Sequence, residues 1–203
     1  MKIFKIVTFL SVTLAFLFLS SCKNDIDVST LLTNPSNPVV RMKTNMGDIF
    51  IELYQNESPI TVENFLNYVD SDFYNGTIFH RVINGFMIQG GGFLPGLEKK
   101  EPFAPIKNEA DNGLNNLKGT ISMARTKLIH SATSQFFINV NDNTALDYKT
   151  PNPREFGYAV FGRVIEGMNV VDLIKETKTT TVQPYNNVPI EDIIIKKVIL
   201  IKK

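Results

Sequence analysis

The stretch "FHRVINGFMIQGG", Phe79–Gly91, brings together an imidazole (His80), a permanent cation (Arg81), large apolar side chains (Phe86, Met87, Ile88), an amide (Gln89) and a closing pair of glycines. It holds no serine, threonine, cysteine or carboxylate that could serve as a nucleophile or base. Arginine keeps its charge at any working pH and offers several donors in a rigid fork. The stretch raises the question of what chemistry wants a fixed cation beside these apolar side chains and an amide, with no obvious nucleophile.

Upstream, "VVRMKTNMGDIFIELY" (39–54) reads as a hairpin, with Ile49, Ile51 and Leu53 on one face of its second strand. In "SPITVENFLNYVDS" (58–71), Ser58 can cap a helix, Pro59 suits its first position, and Val62, Phe65, Leu66 and Val69 recur at helical spacing. Downstream, "GTISMA", "SQFFINV" and "YAVFGRVI" are short, β-branched or aromatic, and bounded by turns, so they read as strands. "MNVVDLIKET" suggests a second amphipathic helix and "DIIIKKVILI" a last buried strand. Strands in series without repeated βα units argue for a mainly β or α+β domain over a doubly wound sheet. The aperiodic run between Gly92 and Lys118 reads as a long loop, functional or packed by its own side chains.

Charge is balanced, with Lys plus Arg at 21 and Asp plus Glu at 20 of 203 residues, so no summed field favours nucleic acid. The chain opens on Lys2 and Lys5, runs apolar from Ile6 to Leu19, and closes on Ser20-Ser21-Cys22. That apolar run is shorter than the roughly 20 residues of a spanning helix and reads as an export signal. "LSSC" resembles the lipobox of bacterial lipoproteins. On that resemblance, residues 1–21 are a lipoprotein signal peptide and Cys22, the sole cysteine, is the lipidated mature N-terminus held in membrane lipid. Residues 22–38 are then a flexible tether, holding the domain at 39–203 roughly 20–25 Å from the lipid if random coil. Lys23, where a retention signal for the inner membrane would place Asp, favours the outer membrane of the cell envelope, facing the periplasm.

Other chemistries lack support. His80 and His130 are far apart, and no cluster has zinc-ligand spacing, so no metal or other cofactor is expected. The glycines at 90–92 lack the lysine and helix of a phosphate loop, and no Gly-x-Ser-x-Gly elbow occurs.

Four blocks in series, "FHRVINGFMIQGG", "GTISMART", "HSATSQFFINV" and "YAVFGRVIEGMNVVD", resemble the cyclophilin family of peptidyl-prolyl cis/trans isomerases in its bacterial exported form. The resemblance spans Val39 to Ile201. It implies a closed eight-stranded antiparallel β-barrel capped by two helices, acting as a monomer on proline-containing polypeptides. By the family's motifs the catalytic residue is Arg81. The substrate-binding residues are Phe86, Met87, Gln89, Ala124, Arg125, Gln135, Phe137 and Leu146, with Tyr158 where many members carry histidine. His80 is structural or groove-lining, with no proton to transfer. Ala145 stands where cyclosporin-sensitive members carry tryptophan, so weak cyclosporin binding is expected. A groove that only holds Pro-containing segments, without turnover, is the competing expectation.

Overall fold

The structure, a computed structural model, describes residues 28–203. The expected signal segment and Cys22 lie outside the described residues. The hairpin forms as expected, β1 (Val39–Thr44) pairing antiparallel with β2 (Asp48–Leu53). Helix α1 (Pro59–Asp70) buries Val62, Phe65, Tyr68 and Val69. Phe65 reaches the centre of the core, 5.0 Å from the Tyr74 ring and 5.3 Å from that of Phe161. Ser58 occupies the N-cap position, but its hydroxyl donates to Val160 O at 2.7 Å instead of capping. The free amides of the first turn, Ile60 and Thr61, donate to the carboxylate of Glu109 from the long loop. A carboxylate also matches the positive end of the helix dipole.

β3 (Phe79–Ile83) and β4 (Met87–Gly90) follow, then the short β5 (Phe93–Leu94) and β6 (Glu98–Lys99), β7 (Thr120–Met123), β8 (Phe136–Asn139) and β9 (Val160–Glu166). Helix α2 (Met168–Lys175) buries Val170, Val171 and Ile174. A hairpin absent from the sequence reading, β10 (Thr179–Val182) with β11 (Tyr185–Pro189), precedes β12 (Ile195–Lys202).

The main sheet runs β12-β1-β2-β9-β7-β8-β4-β3, all antiparallel. It is a curled, open half-barrel and not the closed barrel expected. β12 commits Ile195–Lys202 to β1, and β3 turns away into β4. The two edges meet only just before each strand, at the Ile78–Ile194 bridge and the bonds Phe79 N to Ile193 O and Ile195 N to Thr77 O. Alternation sends Val82, Ile88, Ile121, Phe136 and Ile138 into the core. Their neighbours in sequence face outward.

The expected tether is not free along its second half. Thr33, Asn34 and Asn37 donate to Glu52, Leu53 N donates to Pro38 O, and Lys202 Nζ donates to Pro35 O. Residues 28–38 thus dock on β2 and β9, because Glu52 offers a buried carboxylate whose oxygens need donors.

Candidate active site

The site is built on the outer face of β3, β4 and β8. Arg81 lies opposite Gln89, and Gln89 opposite Phe137, as cross-strand partners. The register skips His80 between Phe79 and Arg81. This bulge turns both His80 and Arg81 away from the core side. Arg81 Nη1 donates to Gln89 Oε1 at 3.3 Å, and Gln89 Nε2 donates to Gln135 Oε1 at 2.9 Å. Gln135 is pressed close to the chain at Gly92, where a Cβ would lie 2.5 Å from its side chain and displace it.

Arg81, Gln89, Met87, Phe86 and Phe137 line one side of a cavity of about 200 Å³; Ala124, Arg125, Leu146 and Tyr158 line the rest. Phe137 and Tyr158 meet edge to face at 5.7 Å. Arg125 lies over the Tyr158 ring at 4.9 Å and is held by Gly157 O, Thr126 O and Pro153 O. Gly157, at φ +77, lets the chain pass so close to Leu146 O that a Cβ would lie 2.7 Å from it.

Beneath the cavity, Asn143 Nδ2 donates to both Phe86 O and Asn139 Oδ1 at 2.7 Å. Leu146 N donates to Asn143 O, and Asn143 N to Asn116 O. Asn116 accepts from Ser122 Oγ and Asn139 Nδ2. This buried polar network fixes the backbone under Phe86 and Leu146, and a fully satisfied network is rigid. Its members escaped sequence reading because isolated asparagines carry no periodic signal.

Of the residues implied by the resemblance, only Gln135 and His80 stand outside this cavity. Gln135 lines an adjoining one of about 140 Å³ with Thr126, Ser131 and Thr133. His80 and Gln135 line another of about 460 Å³, walled by Pro184, Tyr185, Asn186 and Asn187. His80 is buried against Phe93 at 4.5 Å, and its Nδ1 has no hydrogen-bond partner among the described residues. Burial, reinforced by the charge of Arg81, lowers its pKa to about 4, so the ring is neutral near pH 7.

Among the described residues, Arg81 faces a small cavity that mixes Phe86, Met87, Phe137 and Leu146 with polar groups and holds no carboxylate or imidazole, an arrangement compatible with an isomerase. Residues 39–198 match the family of cyclophilin type peptidyl-prolyl cis-trans isomerase/CLD. The chain is 56% identical over 164 residues to peptidyl-prolyl cis-trans isomerase A of Dickeya dadantii (strain 3937), covering 81% of this chain and 85% of that protein. It is 54% identical over 160 residues to peptidyl-prolyl cis-trans isomerase B of Escherichia coli (strain K12), covering 79% and 98%. Among solved structures, a cyclophilin type peptidyl-prolyl cis-trans isomerase of Cryptosporidium parvum is similar at TM-score 0.71 and 29% identity, over 82% of this chain and 99% of that one. A second structure of it, in the presence of the dipeptide ala-pro, gives TM-score 0.69 at 30% identity, over 81% and 99%. The chain belongs to the cyclophilin family and is a peptidyl-prolyl cis/trans isomerase (EC 5.2.1.8).

Proposed function

We propose that Arg81 accelerates X-Pro rotation by stabilising the twisted amide, over a pocket that grips the prolyl ring. The rotational barrier of roughly 18–20 kcal/mol comes from delocalisation of the nitrogen lone pair into the carbonyl. Twisting returns that pair to nitrogen, and a cation beside it binds the twisted state better than either planar one. The observation that carries the reading is that Arg81 reaches the cavity with an amide as its partner and, among the described residues, no carboxylate. Phe86, Met87, Phe137 and Leu146 grip the ring; Gln89, Gln135 and the Ala124–Arg125 backbone hold the acyl side while the rest turns.

Arg81→Ala is expected to lower kcat/KM on an Ala-Pro peptide by about ten- to a hundredfold, the worth of one charge-assisted hydrogen bond. Equal rates for the variant and the parent would sink the arginine mechanism. Cyclosporin is expected to inhibit weakly, since Ala145 removes a wall and an indole donor; submicromolar inhibition would contradict this.

The enzyme acts, in this proposal, as a monomer on Pro-containing segments of exported proteins, anchored through lipidated Cys22 in the bacterial outer membrane and facing the periplasm. Support comes from the "LSSC" end of the signal-like segment. Mass spectrometry of the mature N-terminus tests it: an unmodified Cys22 would remove the anchor.

A further inference from the structure

Beyond the proline cavity, and sharing Arg125 and Tyr158 with it, opens a wider cavity of about 660 Å³. Thr126, Lys127, Pro153 and Arg154 complete its wall, so among the described residues three cations and no carboxylate face it. Arg125 is fixed there by three backbone carbonyls, which take its hydrogen bonds without cancelling its charge. Lys127 and Arg154 are exposed on the two loops that Arg125 ties together, and neither belongs to any ion pair among the described residues. The nearest acid in sequence, Glu155, accepts from Thr150 Oγ1. The whole chain is close to neutral, so this concentration of positive charge is local to one end of the groove.

We propose that this basic annex is a specificity site that selects polypeptides with an acidic side chain flanking the isomerised proline. The proline cavity is closed to such a group by Phe86, Met87, Phe137 and Leu146. The annex adjoins it, is open to solvent, and presents donors that match a carboxylate. Charge complementarity at an exposed rim acts mainly on selectivity and encounter, and is screened by salt. Its effect thus falls on kcat/KM for charged substrates and leaves neutral ones alone.

The experiment measures kcat/KM by NMR exchange on four-residue peptides with Glu, Gln or Lys placed immediately before or immediately after the proline. At low salt, about 0.01 M where the Debye length is roughly 30 Å, Glu is expected to exceed Gln by about two- to fivefold at one or both positions, and Lys to fall below it. At about 1 M salt, where the Debye length is roughly 3 Å, the difference is expected to vanish. The double variant Lys127→Glu, Arg154→Glu should reverse the Glu-over-Lys order while leaving the Gln peptides within about twofold of the parent. Equal rates for Glu and Gln at both positions in low salt overturn the proposal. So does a preference that the double variant does not change. Turnover of the Gln peptides in either case keeps the isomerase activity separate from this selectivity.

Discussion

Two arginines of this fold sit in the same backbone setting and do different things. Arg163 and Arg81 each occupy an antiparallel strand opposite a side chain that accepts from them: Glu52 on β2 for the first, Gln89 on β4 for the second. Arg163 Nε lies 3.0 Å from Glu52 Oε2, and the fully buried carboxylate also accepts from Thr33 N, Thr33 Oγ1, Asn34 N and Asn37 Nδ2. Burial alone would raise the Glu52 pKa; bonds from Thr33, Asn37 and Asn34 outweigh it and leave the group lowered, so it stays charged. One arginine is neutralised and holds structure together. The other meets a neutral amide, and its charge is left for whatever enters the cavity.

The largest expected effect breaks the neutralised pair. Glu52→Ala should destabilise the domain by about 3–5 kcal/mol, because Arg163 and the donors of the docked segment lose their acceptor together. Denaturant melts of parent and variant measure this, with kcat/KM unchanged at a temperature where both are folded. A loss below about 1 kcal/mol would put the pair among ordinary surface ion pairs.

The next effect reads the burial of His80, to which the unneutralised charge of Arg81 adds a smaller part. His80 has a folded pKa of about 4 against 6.5 in the unfolded chain, so the unfolded state binds the extra proton. Stability from this group is complete above pH 6.5 and is lost as the pH falls toward 4. The expected loss between pH 7 and 4 is about 2–3 kcal/mol, and His80→Gln should flatten that part of the curve. Two histidines in the chain make the NMR titration simple to assign. A His80 that titrates near 6.5 would leave no such slope.

The two regions were unequally legible in sequence. The β1–β2 hairpin and α1 followed from periodicity, because each forms from neighbouring residues with one buried face. The cavity residues were legible only through the resemblance of four blocks to the family, and the structure shows alternation placing Met87, Gln89 and Phe137 on the face opposite Ile88, Phe136 and Ile138. Glu52 was not: alternation assigns it to the solvent side of β2, and it is buried only because Thr33 to Asn37 fold over it. Glu109 displaced Ser58 as the acceptor at the start of α1 for a similar reason, reaching it from 49 positions away. The β10–β11 hairpin has a wholly exposed first strand and so no hydrophobic pattern to reveal it. The open sheet edge depends on where β12 stops pairing with β1, which no local signal encodes. What escaped is set by long-range polar contacts; what was legible is set by local burial.

The smallest expected effect makes the second arginine resemble the first. Gln89→Glu keeps the size of the side chain and places a carboxylate where Arg81 Nη1 now meets an amide oxygen 3.3 Å away. The pair is half-buried, so its gain in stability should be within about 1 kcal/mol. Catalysis should move further in the other direction. A carboxylate stabilises the guanidinium equally in the free enzyme, the bound planar amide and the twisted one, while competing for the donors that the proposed mechanism directs to the prolyl nitrogen. It also gives up the Gln89 Nε2 bond to Gln135 Oε1, so the Gln135 amide must turn over to donate in its place. The expected result is a fall in kcat/KM of about tenfold, near 1.4 kcal/mol, with the His80 pKa rising as the field of Arg81 is cancelled. Both readouts come from one variant, and they separate the causes. A rate loss without a His80 shift would mean that the carboxylate disturbs Gln135 alone. Unchanged kcat/KM with a raised His80 pKa would mean that the charge of Arg81 is not what the twisted amide uses.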